Sequence, residues 1–92
     1  MYSLSTTPTE VSKALAERHK TLRKQLNLSQ SEMAERSGVS LGSLKRFETT
    51  GKISLESLLK LAHLMSRLGD FENVFQLKED QSGMESLFTS KD

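Results

Sequence analysis

A chain of 92 residues closes one modest hydrophobic core at most, which excludes a two-domain protein. Its 35% hydrophobic and 27% charged content suits a soluble globular domain, and the absence of cysteine excludes a disulfide framework, a thiolate metal site and a thiol nucleophile. The net charge of +1 conceals an uneven spread, with 11 basic and 5 acidic residues between Lys13 and Arg67 but 2 basic and 6 acidic from Leu68 to Asp92. A basic body fit for a polyanion therefore precedes an acidic end.

In chain order, residues 1–8 read as an N-terminal arm, 9–77 as one helical domain and 78–92 as an acidic tail that loses strong periodicity, although Met84, Leu87 and Phe88 are apolar enough to dock. The polar start lacks the basic-then-apolar pattern of a signal peptide, and no apolar run nears a membrane-spanning length. The expectation is a cytoplasmic protein with no membrane role.

Thr9 after Pro8 is read as the N-cap of a first helix that ends near Asn27, with Val11, Leu15, Leu22 and Leu26 recurring at helical spacing and Lys13, Lys20 and Lys24 outside. Ser29 with Glu32 forms a capping box for a short second helix, and Gly38 can take the left-handed conformation that ends it. Ser40 caps a third helix through Leu44, Phe47 and Glu48, which Thr49, Thr50 and Gly51 stop. Ser54 caps a fourth helix from Leu55 to about Arg67, ended by Gly69. Asp70 caps a short fifth helix holding Phe71, Val74 and Phe75. No strand is convincing, so the fold class is all-α, a compact five-helix array with short connections.

The function-bearing stretch is QSEMAERSGVSLGSLKRFE, residues 30–48, two short helices joined by the turn Ser37, Gly38, Val39, Ser40. Ala34 allows the helices to cross closely, Val39 and Leu44 fill the space between them, and Phe47 anchors the second to the core. This is a helix-turn-helix pattern, which leaves the remaining side chains free to enter a major groove.

Residues 15 to about 65 resemble the Cro and phage-repressor type helix-turn-helix domains, the XRE-like family, through Leu15, Arg18, Leu22, Arg23, Leu28, Ser29 and Gln30, then Ala34, Gly38, Val39, Ser40, Leu44 and Glu48. The resemblance implies a five-helix lambda-repressor-like domain that binds double-stranded DNA, with the Ser40 to Thr49 helix in the major groove and Gln30 against a phosphate. On it, Ser40, Leu41, Gly42, Ser43, Lys45 and Arg46 are expected to meet bases or phosphates, Arg46 foremost because its fork matches guanine O6 and N7. Thr50 and Lys52 are expected to meet phosphates. It also implies an internal ion pair between Arg23 and Glu48. Two places depart from the family pattern: His19 stands where an aliphatic residue is usual, and the connection from Glu48 to Ser54 is one residue short. The runs SLGSLKRFETTGKISLESLLKLA and RLGDFENVF are also similar to HipB-like antitoxins, which implies a HipA-like kinase toxin as a partner.

Leu61, Leu64 and Leu68, followed by Phe71 and Phe75, exceed what one small core absorbs, and a homodimer interface is the expected use of the surplus. His19 and His63 lie on different helices without cysteine or an adjacent carboxylate arrangement, so no metal ligand set and no cofactor are expected. No nucleophile elbow or glycine-rich phosphate loop is present, and no enzyme is expected. The leading expectation is a dimeric repressor on a palindromic operator. The rival is a protein-interaction adaptor that keeps the fold without binding DNA.

Overall fold

The computed structural model describes residues 6–77, so the expectations for the first residues of the arm and for the tail at 78–92 lie outside the described residues. The described chain has five helices and no strand: α1 Pro8–Gln25, α2 Gln30–Ser37, α3 Leu41–Thr50, α4 Leu55–Leu64 and α5 Gly69–Glu72. None of them is long and apolar enough to cross a membrane.

Local chemistry accounts for most of the boundaries. The cap of α1 is Thr7 and not Thr9: its hydroxyl accepts from the Glu10 N–H while the Glu10 carboxylate accepts from the Thr7 N–H, and Pro8 fills the first helical position, where no N–H is needed. Ser29 and Glu32 make the same reciprocal box for α2, and Ser40 and Ser54 accept from the N–H three residues ahead to start α3 and α4. Gly38 and Gly51, both at φ 82, end α2 and α3 in the left-handed conformation. At Gly51 a second constraint acts, because a Cβ there would lie 2.9 Å from the Ser12 carbonyl carbon and 3.0 Å from the Lys13 nitrogen. The end of α3 is thus seated directly on the backbone of α1, an approach open only to glycine.

The fourth helix ends at Leu64, short of the expected Arg67. Ser66 turns left-handed at φ 59 and the Arg67 N–H reaches back to the Ala62 carbonyl at 2.8 Å, a closure that satisfies the last carbonyls and redirects the chain. The fifth helix is a single turn with no side-chain cap, so Asp70 does not cap it. Phe75 lies beyond its end at φ 68 and is 99% exposed.

Met33, Leu44, Phe47 and Leu61 are the largest fully buried side chains, joined by Ala16, Ala34 and Val39 in one core. The third helix packs on α1 and α2, and α2 on α4. The small Ala34 and the buried Val39 at the α2–α3 crossing leave the two helices in close contact, which holds α3 as a fixed ridge.

Candidate nucleic-acid interface

Leu44, Phe47 and Glu48 point α3 inward, and Leu41 is half-buried against the core. Gly42, Ser43, Lys45, Arg46, Thr49 and Thr50 are all exposed. At ~100° per residue they occupy one continuous arc of roughly 160°. The outward face of α3 therefore carries two cations, three hydroxyls and one bare backbone position, with no acidic residue. Thr49 belongs to this face and was missed as a contact, although its spacing of three from Arg46 is the signal that places it there.

The hydroxyls differ in what they have left to give. Ser40 accepts from the Ser43 N–H at 3.1 Å and donates to Ser43 Oγ at 2.9 Å, so the cap consumes it while the Ser43 proton stays free. Thr50 Oγ1 donates to the Arg46 carbonyl at 2.7 Å and accepts from the Lys52 N–H at 3.1 Å. Its proton holds the turn together and is not available to a phosphate. Lys52 itself is exposed, and with Ser43, Arg46, Ile53, Ser54 and Ser57 it lines a cleft of about 280 Å³ between α3 and the start of α4. Ser54 and Ser57 were not foreseen there. Two cations, three hydroxyls and a helix N-terminus in one cleft make a surface that attracts an oxyanion.

Behind the face lies a ring of polar side chains that joins α1, α2 and α3. Arg23 donates to both carboxylate oxygens of Glu48, Nε to Oε2 and Nη2 to Oε1, each at 2.9 Å, and its Nη1 donates to the Leu28 carbonyl at 2.7 Å. Gln30 Nε2 donates to Glu48 Oε1 at 3.0 Å, so its amide is turned inward to the carboxylate, whereas the resemblance had implied a phosphate partner. His19 Nδ1 stands 2.8 Å from Glu48 Oε2, and its ring meets the edge of Phe47 at 5.5 Å. The histidine that departs from the family pattern is thus the fourth member of the ring, and the sequence reading had found no carboxylate partner for it. His19, Arg23 and Glu48 are all buried.

The electrostatics follow from that packing. Burial, the largest influence on His19, pushes it below the usual imidazole range, against the pull of the Glu48 charge and hydrogen bond, and the Arg23 charge lowers it further. For Glu48, burial alone would push the carboxyl up. The hydrogen bonds from Arg23 and Gln30 and the Arg23 and His19 charges together outweigh it and hold the carboxyl below its ordinary value. Burial thus favours the neutral form of His19, which donates to the Glu48 carboxylate through Nδ1.

Of the residues expected at a dimer interface, only Leu64 and Leu68 are brought together. Leu61 is fully buried in the core and takes no part in any surface, which corrects its assignment. Leu64 and Leu68 line an apolar groove with Leu59 and His63, while Phe71 faces a different cavity and Phe75 stands apart in solvent. The early end of α4 and the left-handed turn at Ser66 explain why Phe71 and Phe75 leave its helical phase. Among the described residues no three histidine, aspartate or glutamate side chains are placed to hold a metal ion.

No curated protein matches the chain. A family model described as helix-turn-helix matches residues 20–67, which spans α2, α3 and α4, the cleft and the polar ring apart from His19, and covers more than half of the sequence. The chain belongs to the XRE-type helix-turn-helix family of DNA-binding transcription regulators.

Proposed function

We infer that this protein is a repressor that occupies a palindromic operator as a two-fold dimer, each copy laying α3 in a major groove and blocking transcription by occlusion. The observation that carries the reading is the outward arc of α3, where Lys45 and Arg46 stand exposed without an acidic neighbour on a helix whose other side is locked into the core. Arg46 lines the cleft that leads to the start of α4, so it serves either a guanine edge or the flanking phosphate. Lys52, Ser54 and Ser57 grip the backbone beside it. Gln30 contributes by positioning Glu48 and leaves the phosphate to the N–H groups at the start of α2.

The groove along α4, lined by Leu59, Leu64 and Leu68, supports self-association, because apolar side chains on a small domain are best covered by a second copy. The HipB-like reading adds a kinase-like partner to this scheme. It rests on the resemblance of residues 40–62 and 67–75, and the exposed Val74, Phe75 and Leu77 are the apolar side chains such a partner would cover.

Fluorescence anisotropy with DNA from the protein's own upstream region tests the reading. A dimer that neutralises six to ten phosphates loses about three to five powers of ten in affinity between roughly 50 and 200 mM salt. Arg46→Ala should cost about 1 to 3 kcal/mol on the operator and relax the preference at one base pair, whereas Lys52→Ala should weaken all sequences alike. Binding that ignores salt, with Arg46→Ala equal to the parent, replaces the repressor reading with the adaptor reading.

A further inference from the structure

A cavity of about 370 Å³ opens between α1, α4 and α5. Leu15, Leu22, Leu58, Ala62, Met65 and Phe71 supply its apolar wall, and the half-exposed Arg67–Asp70 ion pair, 2.8 Å across, also borders it. The volume lies within the range of sites that enclose small molecules, and the composition, apolar with a few polar groups, is theirs as well.

His19 forms part of the same lining. Its Nδ1 faces a carboxylate, which as an anion can only accept, so Nδ1 carries the proton, and in the neutral ring that burial favours Nε2 carries a lone pair. That Nε2 is buried and has no hydrogen-bond partner among the described protein groups. Buried polar atoms are paired in the great majority of cases, and an acceptor left without a donor costs free energy until a donor arrives. Among the described side chains it is the one buried nitrogen or oxygen without a partner, and it belongs to a residue that borders this apolar recess.

We propose that this cavity binds a small, largely apolar molecule carrying one hydrogen-bond donor, an aromatic alcohol or an indole-type N–H, with the donor on His19 Nε2 and the apolar body against Leu22, Leu58 and Phe71. Nε2 lies beneath the accessible surface, so binding requires the lining to give way, and the unbranched Met65 is its most adaptable member. Arg67 and Asp70 already satisfy each other, so the molecule needs no charge of its own. The site stands on its own cavity and nitrogen and is independent of whether the protein represses transcription.

Indole and 1-methylindole, equal in shape except for the donor, test the proposal by nuclear magnetic resonance on the full chain. Indole should shift Leu22, Leu58, Met65 and Phe71 resonances saturably, move the His19 Nε2 nitrogen signal, and bind about 3- to 10-fold more tightly than 1-methylindole. Ala62→Leu, which fills the recess with the same helix register, should abolish those shifts while the amide spectrum of α2 and α3 stays that of the parent. The proposal is overturned by an absence of saturable shifts at these residues, or by equal binding of the two probes with an unmoved Nε2. Contacts from residues 78–92 or from a second copy to Leu22 and Phe71 in the probe-free protein would equally overturn it, since the recess would then be filled by protein.

Discussion

Removing the Glu48 carboxylate would strand the Arg23 guanidinium, the Gln30 amide and His19 Nδ1 without the acceptor they share. Glu48→Ala should therefore cost about 3 to 5 kcal/mol in urea unfolding, the range for breaking a buried pair, and more than a surface carboxylate such as Glu56, whose Lys60 partner is 3.8 Å away and solvated. An unchanged midpoint would show that the ring contributes nothing. The neighbouring histidine sets a pH dependence. Because burial lowers its folded pKa beneath the unfolded 6.5, the unfolded chain binds the extra proton, and stability is complete above that value and lost as pH falls through the folded pKa. The lowered Glu48 adds a second loss of the same sign below its ordinary 4.5. Urea midpoints between about pH 7 and 5 should fall with a slope of no more than roughly 1.4 kcal/mol per pH unit from one histidine, and His19→Leu should flatten that part of the profile.

At the scale of the elements, three glycines on or beside α3 separate three physical effects. Gly38→Ala meets open space and only the left-handed backbone, which costs about 1 to 2 kcal/mol. Gly51→Ala adds a collision with the α1 backbone at Ser12 and Lys13, and the sum should reach about 2 to 5 kcal/mol. Thermal unfolding of the two variants checks the order, and equal losses would deny the close approach of α3 to α1. Gly42→Ala goes the other way: it lies in the helix with ordinary φ and nothing within 4 Å of the new Cβ, so it should stabilise the fold by about 0.5 to 1 kcal/mol. If the bare backbone at Gly42 is what lets α3 approach a base pair, the same variant should lose operator affinity while gaining stability. That opposition distinguishes a binding residue from a structural one.

For the molecule as a whole, the proposed dimer depends on the Leu59–Leu64–Leu68 groove. Leu68 is 37% exposed and sits outside the core, so Leu68→Glu should dissociate the dimer without unfolding the monomer. Leu61→Glu, by contrast, places a carboxylate where exposure is 0% and should unfold the chain. Sedimentation equilibrium with circular dichroism separates the two outcomes, and a parent chain already monomeric at tens of micromolar, the range of weak dimers, would remove the dimer from the scheme. The basic excess between Lys13 and Arg67 then acts twice over on a two-fold operator, which is how a chain of net charge +1 still presents a cationic face to DNA.

The amino-acid sequence by itself determined the parts of this protein whose signals are local. Ser29 with Glu32, Ser40, Ser54 and Gly38 mark helix boundaries through hydrogen bonds and backbone freedom within three or four residues, and the period of Ala34, Leu44 and Phe47 orients α2 and α3 toward the core. The outward arc of α3 follows from the same period, which is why its cations were legible. Tertiary structure alone decided the rest. His19 and Glu48 are 29 positions apart, and only the packing of α1 on α3 brings their side chains to 2.8 Å. Helical spacing put Leu61 on an outward stripe, but the α2–α4 contact buries it, and after the left-handed turn at Ser66 only Leu68 rejoins Leu64, while Phe71 faces a different cavity. Periodicity reports which residues share a face of one helix. What that face meets, and whether a polar atom such as His19 Nε2 finds a partner, depends on distances set by other elements far along the chain.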